Sequence, residues 1–408
     1  MVDIIIIGAG ASGIFSAISA HQKNPTARIL ILEKTTKSLA KVKISGGGRC
    51  NVTHACFDAS QLILNYPRGQ KELNSTFSQF SVVDTLHWFK SHGVPTHAEE
   101  DGRIFPKTNS SQSIIDSLLG ELEKFQIEIK LQTKVVNIEK LADHFVIRTE
   151  NNEFISKNII VSMGGHPEMR HYQYLLNMGL NIIPPAPSLF TFNIPNSPFK
   201  GLEGISLENT QVKIINTQIS YTGPLLITHW GLSGPVILKC SAWAARTLQE
   251  MNYEYEVNLN FIPQLTQEEA LNLMLHYKTE QSKNLVYKAK CFTIPNRLWE
   301  RLMQICDIVA TTRWADISKK QIFQVIQILA VHKINCLGKT TYKEEFVTAG
   351  GVDLKEINMK TMECKKIPGL FFCGEVMNVD GITGGFNFQH AWSSAWIAGQ
   401  HTKVSLQS

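Results

Sequence analysis

The feature that most limits the fold is a glycine-rich turn between an apolar strand and a helix at the start of the chain. The apolar run Ile4–Ile7 leads into Gly8-Ala9-Gly10-Ala11-Ser12-Gly13, a helical pattern follows over 14–21, and a second apolar run over 28–32 ends at Glu33. This order predicts a βαβ unit of a parallel sheet that is buried on both faces. In that setting, a GxGxxG turn with an acidic residue about 20 positions further on is typical of dinucleotide binding.

Each part of this turn has a separate task. The first glycine permits the tight turn, the second lets the backbone approach a pyrophosphate, and the third allows the helix to pack closely on the strand. The helix N-terminus adds unpaired N–H groups and the positive end of a dipole, and the acidic residue can accept hydrogen bonds from ribose hydroxyls. The fingerprint alone does not separate FAD from NAD. The residues predicted to contact the cofactor here are Gly8, Gly10, Ala11, Ser12, Gly13, Glu33 and Lys34.

Two further glycine segments extend the predicted cofactor site. In Gly46-Gly47-Gly48-Arg49-Cys50-Asn51, a backbone without side chains can wrap a flat ring or a phosphate, and Arg49 is a charge-matched donor. Met163-Gly164-Gly165 ends a buried-type strand, where the carboxyl edge of the sheet should face the cofactor. The alternatives are a flexible surface loop for the first segment and an ordinary strand-ending turn for the second.

The C-terminal region has a similar order of strand, glycines and helix. An apolar strand over 370–373 is followed by Gly374 and Glu375, and Gly384-Gly385-Phe386-Asn387 leads into a helix from about Gln389. A helix N-terminus directed at the pyrimidine edge of a flavin would stabilise negative charge on the reduced ring. These residues are therefore predicted to hold the second half of an extended cofactor. A tight turn with a capped helix is the alternative.

The middle of the chain predicts a separate domain. Five prolines between 184 and 198 forbid a continuing helix. We predict a β-rich insert over 185–265 and 334–348 that carries a helical subdomain over 266–333, inside a cofactor-binding domain formed by 1–184 and 349–408. In the cofactor-binding domain, the other predicted elements are a helix over 113–125 and strands over 127–131, 135–139, 145–149, 154–155 and 159–163. The last four of these strands are predicted to form a β-meander. In the insert, we predict strands over 211–215, 225–229 and 253–261 and helices over 268–277, 295–306 and 319–332.

Composition excludes several classes of protein. The chain has 408 residues, 43% hydrophobic and 18% charged, which is ordinary globular usage. A net charge of +5 is too small to indicate a nucleic-acid or membrane partner by itself. The N-terminal apolar stretch lacks a basic start and is interrupted by glycines, so we expect neither a targeting nor a membrane segment. The eight scattered cysteines form no CxxC or metal-type spacing, so we expect no metal and reduced thiols in a cytoplasmic protein.

Together these motifs resemble the BaiN/YhiN-like flavoproteins of bacteria, an FAD-dependent, aminoacetone-oxidase-like group of NAD(P)/FAD-dependent oxidoreductases with a glutathione-reductase-type fold. The resemblance runs from Ile4 to about Gly399 and includes the stretches 43–51, 102–106, 228–235 and 347–352. It implies an α/β fold in which both chain ends form a Rossmann-like FAD domain, with a parallel sheet and a β-meander. A β-barrel-like domain carrying a small helical subdomain would interrupt it.

The resemblance also implies roles for single residues. Val135 would lend backbone groups to adenine, and Gly374 and Glu375 would contact the ribitol and pyrophosphate. Gly46–Asn51 would lie against the pyrophosphate and flavin side, and Gly384–Asn387 would lie by the isoalloxazine ring. The chain departs from the family pattern after Gly165, where 166–171 replaces a Gly/Thr/Ser-rich loop. A different electron donor or substrate is therefore compatible with the same fold.

The leading functional hypothesis is an oxidoreductase in which hydride passes between a small-molecule substrate and flavin N5, with O2 or NAD(P)H as the other redox partner. Only one strand–turn–helix GxGxxG is present, so NAD(P)H would bind transiently near the flavin. His229 is a candidate acid or base, with a structural histidine equally compatible, so the catalytic residues stay unassigned. A flavin-dependent nucleic-acid modifier and an FAD-binding protein without turnover are the alternatives, although no nucleic-acid partner is expected from the charge. The substrate and the oligomeric state do not follow from the sequence.

Overall fold

A computed structural model describes residues 2–338 and 347–404. The strands of these residues are, in chain order, β1 (Val2–Ile7), β2 (Ile29–Leu32), β3 (Thr53–His54), β4 (Thr96–Ala98), β5 (Arg103–Pro106), β6 (Glu128–Lys130), β7 (Val135–Lys140), β8 (Phe145–Thr149), β9 (Glu153–Val161), β10 (Ile182–Ser188), β11 (Phe192–Asn193), β12 (Ser206–Ile214), β13 (Ser220–Ile227), β14 (Gly231–Ser233), β15 (Glu254–Asn260), β16 (His332–Leu337), β17 (Val347–Val352), β18 (Ile357–Asn358), β19 (Glu363–Cys364) and β20 (Leu370–Phe372). The helices are α1 (Ala11–Lys23), α2 (Ala40–Gly48), α3 (Ala59–Leu62), α4 (Gln70–Phe77), α5 (Val82–Ser91), α6 (Ser111–Lys124), α7 (Gln173–Asn177), α8 (Pro235–Glu250), α9 (Gln267–Glu280), α10 (Asn296–Ile305), α11 (Lys319–Ala330) and α12 (Phe386–His401).

The chain divides into two compact units. The first contains Met1–Pro187 and Val347–Ser408, and the second contains Ser188–Phe346. Of the predicted insert segment 334–348, residues 339–346 lie outside the described residues. The exact domain limits drawn from the sequence stay a prediction.

The first unit is built on a mostly parallel sheet with the strand order β18-β19-β20-β9-β1-β2-β6. Strands β20, β9, β1, β2 and β6 run parallel, and the antiparallel hairpin of β7 and β8 joins this sheet through β9. Strand β2 is buried along its whole length and β1 from Ile4 onward, which explains their continuous apolar sequence. The predicted α/β, Rossmann-like class with a parallel sheet and a β-meander is confirmed.

One strand of this sheet was wrongly divided by the sequence pattern. The predicted strands over 154–155 and 159–163 are the single strand β9, which ends at Val161. The polar residues that interrupt the apolar pattern are satisfied inside the sheet. The hydroxyl of Ser156 donates to the carbonyl of Asn158 at 2.7 Å, and the Asn158 amide donates to the carbonyls of Asp3 and Lys403 at 3.3 and 2.8 Å.

The second unit contains a six-stranded sheet in the order β11-β14-β13-β12-β15-β16, in which neighbouring strands run antiparallel. The Asn193 amide donates to the Leu337 carbonyl at 2.8 Å, which joins the first strand to the last and gives a barrel-like sheet. Helix α8 has no counterpart in the sequence analysis, although Pro235 at its first turn is a helix-entry signal. The helix predicted over 319–332 ends at Ala330 because His332 begins β16 and pairs with Leu259.

Over the described residues, none of the helices has the length and apolar character required to span a bilayer.

Candidate functional site

The glycine-rich turn has the geometry that dinucleotide binding requires. Gly8 has a φ of +106° and donates its N–H to the Leu32 carbonyl at 2.8 Å. A Cβ built on Gly13 would lie 1.9 Å from the Gly8 carbonyl oxygen, so only glycine lets α1 pack this closely. Around Gly10, by contrast, no atom of the described residues lies within 4 Å of a built Cβ. This open backbone lies immediately before the N-terminus of α1, where a pyrophosphate can approach.

Glu33 braces this turn. Its Oε2 accepts a hydrogen bond from the Ala9 N–H at 2.7 Å, and its Oε1 accepts from the N–H and hydroxyl of Thr35 at 2.8 Å each. The side chain lies at the end of β2 and is buried. The predicted contact with ribose stays a prediction, and the structure adds a second task, which is holding the turn.

A cluster of charged and imidazole groups lies near the start of α1. The Lys41 ammonium donates to Glu375 Oε2 at 2.8 Å, and Glu375 Oε1 accepts from the Thr348 N–H at 2.9 Å. Burial opposes ionisation of this carboxyl, but Lys41 and the backbone N–H groups of Thr348 and Gly165 outweigh it and lower the pKa of Glu375. A Cβ built on Gly165 would lie 2.7 Å from Glu375 Oε1. The carboxylate is thus held against the turn that follows β9.

The segment 166–171, which departs from the family pattern, contributes to this cluster. The Lys34 ammonium lies 3.1 Å from His166 Nε2, and the His166 ring stacks on that of His171 at 4.4 Å. Burial and the neighbouring Lys34 lower the pKa of His166 to about 4, so this ring is neutral near pH 7 and accepts from the ammonium. The Lys34 side chain thus contacts this segment, and Lys34 directly follows Glu33 in the chain.

Gly374 connects the C-terminal strand to the first helix. It has a φ of +73°, and a Cβ built on it would lie 2.4 Å from the hydroxyl oxygen of Ser12. Its N–H donates to the Ser394 hydroxyl at 2.9 Å, and its carbonyl accepts from His390 Nε2 at 3.3 Å. Burial lowers the pKa of His390 to about 4. The predicted cofactor residues near the two chain ends are therefore in direct contact.

The 46–51 segment is a kinked end of α2, with left-handed backbone at Gly46 and Gly47. The Arg49 guanidinium pairs with Glu99 at 2.6 Å and lies over the Phe105 ring at 3.9 Å. Arg49 as a donor to the cofactor stays a prediction, and in the structure its charge is also balanced by a carboxylate. Beside it, Cys50 is buried, which raises its thiol pKa to about 12.

Asn51 is a better candidate for a cofactor contact. Its Oδ1 is buried and accepts no hydrogen bond from any described residue. A Cβ built on Gly385 would lie 2.8 Å from this same oxygen. A buried acceptor without a donor is costly unless a ligand supplies one. Asn51 therefore lies beside the start of α12, where a flavin was predicted.

The C-terminal glycines lead into α12 earlier than predicted. The helix begins at Phe386 instead of about Gln389, and Gly384 and Gly385 have φ values of +127° and +97°. The Asn387 carboxamide accepts from the N–H of Gly381 at 2.8 Å and donates to its carbonyl at 2.9 Å. Asn387 thus uses both ends of its carboxamide to hold this loop.

Sequence reasoning missed the anchors of this loop. Arg68 forms a two-pronged ion pair with the fully buried Asp380, and the Tyr66 hydroxyl donates to the Phe386 carbonyl at 2.6 Å. These residues lie more than 300 positions apart in the chain. No local motif marks Tyr66 or Arg68 as part of the site.

The other predicted residues have less specific surroundings. Val135 begins β7 and pairs with Thr149. Met163 Sδ accepts from the Tyr174 hydroxyl at 2.7 Å, and Gly164 has a φ of +78°. In the second unit, the His229 side chain is 78% exposed with Nδ1 3.9 Å from a Glu203 oxygen, which does not distinguish a catalytic from a structural histidine.

These features fit an extended dinucleotide. Open glycine backbone, the N-termini of α1 and α12 and the unsatisfied Asn51 acceptor occur together in the first unit. The N-termini supply N–H donors for the phosphates and for charge on a flavin.

Comparison with known proteins identifies the relatives of this chain. Residues 2–401 match the HI0933-like protein Rossmann domain. The chain is 32% identical to a ribosomal RNA dihydrouridine synthase of Escherichia coli over 98% of this chain and 97% of that protein. It is 27% identical to a 3-dehydro-bile acid delta(4,6)-reductase of Clostridium scindens over 97% of each protein. A solved 3-ketosteroid delta1-dehydrogenase of Sterolibacterium denitrificans shares the fold, with a TM-score of 0.51 and 10% identity over 98% of this chain and 99% of that one.

These matches confirm the resemblance drawn from the sequence and the predicted class, an FAD-dependent oxidoreductase. The chain belongs to the HI0933-like family of Rossmann-domain proteins.

Proposed function

We propose that this protein is an FAD-dependent reductase that saturates a carbon–carbon double bond conjugated to a carbonyl group, and that its substrate is a uridine in ribosomal RNA. The observation that supports it most is the glycine-lined cradle at the starts of α1 and α12. The choice of reaction comes from the Escherichia coli and Clostridium scindens relatives, since both are named for reductions of this kind.

The two reactions share one chemical pattern. The C5=C6 bond of uridine is conjugated to the C4 carbonyl, as the double bonds of a 3-oxo delta(4,6) steroid are conjugated to the C3 carbonyl. Saturation adds a hydride to the carbon of the double bond that lies farther from the carbonyl group. A proton adds to the other carbon of that double bond. Bound FAD would supply the two-electron chemistry, with NAD(P)H as the transient reductant.

The residues of this chain would bind the cofactor and orient it. The open backbone at Gly10 and the start of α1 would hold the pyrophosphate, with the Lys41 and Lys34 ammonium groups nearby. The N-terminus of α12 and Asn51 would hold the flavin side. We assign no residue of this chain as the proton donor, because the bound RNA would complete that part of the site.

RNA is favoured over a small molecule because the rRNA-modifying relative is the more similar of the two. The second candidate is an enzyme for a small-molecule substrate, with O2 or NAD(P)H as the second redox partner, because the relative named for bile-acid reduction matches 97% of this chain.

Anaerobic assays with the purified holoprotein test the proposal. NADH or NADPH should bleach the flavin, and unmodified ribosomal RNA should restore its absorbance while a uridine gains two hydrogen atoms by mass spectrometry. Restoration by a 3-oxo steroid and not by RNA would replace the RNA assignment with the small-molecule one. A flavin that no reductant bleaches would indicate binding without turnover.

A further inference from the structure

An open groove on the first unit lies between α5 and the sheet formed by β3, β5 and β4. Its volume is about 380 Å³. Phe57, Val83 and Leu86 line it, and the first two are 57% and 56% exposed. The groove thus presents two large apolar side chains to solvent. The volume is within the range for one small ligand or a single nucleotide.

The charged side chains that line this groove are positive. His87, Lys90 and Lys107 line it, and none of the lining residues, all of which the structure describes, is acidic. On α5, Val83, His87 and Lys90 share one face because they are spaced by three or four residues. The nearest carboxylates in sequence cap helices instead. Asp58 accepts from the Ser60 N–H at 2.8 Å, and Asp84 accepts from the Ser81 N–H at 2.7 Å.

One residue of the groove lies close in the chain to the candidate cofactor site. Phe57 follows β3 in the chain, and β3 ends at His54. His54 Nδ1 donates to the Gly384 carbonyl at 3.1 Å, and its ring stacks on Phe386 at 4.7 Å. Because three residues of chain span at most about 11 Å, the Cα of Phe57 lies within that distance of the Cα of His54, which contacts the start of α12.

We propose that this groove binds single-stranded RNA, with one unstacked base against Phe57 and the adjoining phosphates at Lys90 and Lys107. Exposed aromatic rings combined with lysines are the usual means of holding single strands, because every base has a stacking face and every linkage carries a negative charge. A second copy of this chain presenting the same face is disfavoured, because its Lys90 and Lys107 would meet the same two positive charges. The proposal rests on the proposed function, since it concerns how an RNA substrate is held.

Fluorescence anisotropy with the holoprotein and a labelled single-stranded oligoribonucleotide, at several salt concentrations, tests the groove. Phe57→Ala should weaken binding roughly ten- to a hundred-fold, from the usual worth of one base stacked on an aromatic ring. The double variant Lys90→Gln and Lys107→Gln should reduce the slope of log K against log salt by about 1.4, from ~0.7 for each phosphate that the protein no longer neutralises. Retained flavin absorbance shows that each variant is folded.

A matched control exists on the second unit. A groove of about 440 Å³ there is lined by Phe323, which is 53% exposed, and by Lys320. Phe323→Ala and Lys320→Gln remove an aromatic ring and a charge of the same kind, and both should leave the affinity and the salt slope unchanged. Equal losses at the two grooves would show a general effect of surface charge and would overturn the proposal.

The steady-state reaction separates this proposal from the proposed function. The groove variants should raise the KM for the oligoribonucleotide more than they lower kcat. If the wild-type protein modifies uridine and the groove variants have an unchanged KM, the groove proposal is overturned and the proposed function stands. A wild-type protein that neither binds nor modifies RNA would overturn both.

Discussion

Two glycines of the first turn should respond differently to the same added methyl group. A Cβ at Gly13 would lie 1.9 Å from the Gly8 carbonyl oxygen, whereas real Cβ contacts essentially never fall below 3.0 Å, so α1 must move by about 1.1 Å. Overpacking of this kind costs about 1–3 kcal/mol, and the better helix propensity of alanine returns at most about 1 kcal/mol. Gly13→Ala should therefore lower the free energy of unfolding of the flavin-free protein by about 1 kcal/mol at the midpoint of this cost and by about 2 kcal/mol at its upper end.

Gly10→Ala is the matched control. Its Cβ meets no atom of the described chain within 4 Å, and the φ of −84° suits alanine. The free energy of unfolding of the flavin-free protein should stay within about 0.5 kcal/mol of wild type. FAD affinity should nevertheless fall at least tenfold, because the methyl group occupies the approach of the pyrophosphate.

Urea unfolding of the flavin-free proteins and titration with FAD measure these two effects separately. Wild-type FAD affinity in Gly10→Ala would show that no phosphate approaches this backbone. Equal destabilisation by both substitutions would refute the division between a packing glycine and a binding glycine.

Three further predictions concern the charged groups. Arg68→Met leaves the fully buried Asp380 without its ion-pair partner and should lower the free energy of unfolding by about 3–5 kcal/mol in urea; wild-type stability would contradict this. Lys41→Met should raise the pKa of Glu375, and because a carboxyl with a lowered folded pKa loses its stabilising effect as pH falls through that pKa, FAD should be released at a higher pH than in wild type when flavin fluorescence is followed during acidification. The His166 imidazole should titrate near pH 4 by NMR, so its contribution to stability is present above pH 6.5 and is lost as pH falls towards 4; a midpoint near 6.5 would show that the ring is not buried against Lys34.

The elements that the sequence predicted well are those whose signal is local. The strand, turn and helix from Val2 to Lys23 contain their own apolar period and glycine spacing, and each glycine has the conformation its position requires. The same holds for α6 and α11, whose starts are capped by serine side chains. Helix ends were less accurate, because pairing with a distant strand decided where α11 stops.

Side-chain roles were harder to predict because their partners are remote in sequence. Arg49 stays a predicted donor to the cofactor, but its pairing with Glu99, from another element, could not be read from the sequence. Asn387 follows the predicted flavin glycines, but both ends of its carboxamide are used by Gly381. Conversely, Lys41 carried no motif and becomes notable only through Glu375, which is 334 positions away. A residue type shows which bonds are possible, while the fold selects the partner.

The cofactor cradle depends on a helix contact that lies away from the glycine turns. Phe15 contacts Trp392 with ring centroids 5.4 Å apart, and the hydroxyl of Ser19 donates to the Trp396 carbonyl at 2.7 Å. Residue numbers therefore rise together along α1 and α12, so the two helices run parallel and both begin at the same edge of the sheet. A Cβ on Gly399 would lie 2.6 Å from the Ser16 carbonyl oxygen, so this glycine permits the close approach. Since each N-terminus carries about half a positive charge, parallel packing places two such charges side by side, which suits a ligand with phosphates at one end and a reducible ring at the other.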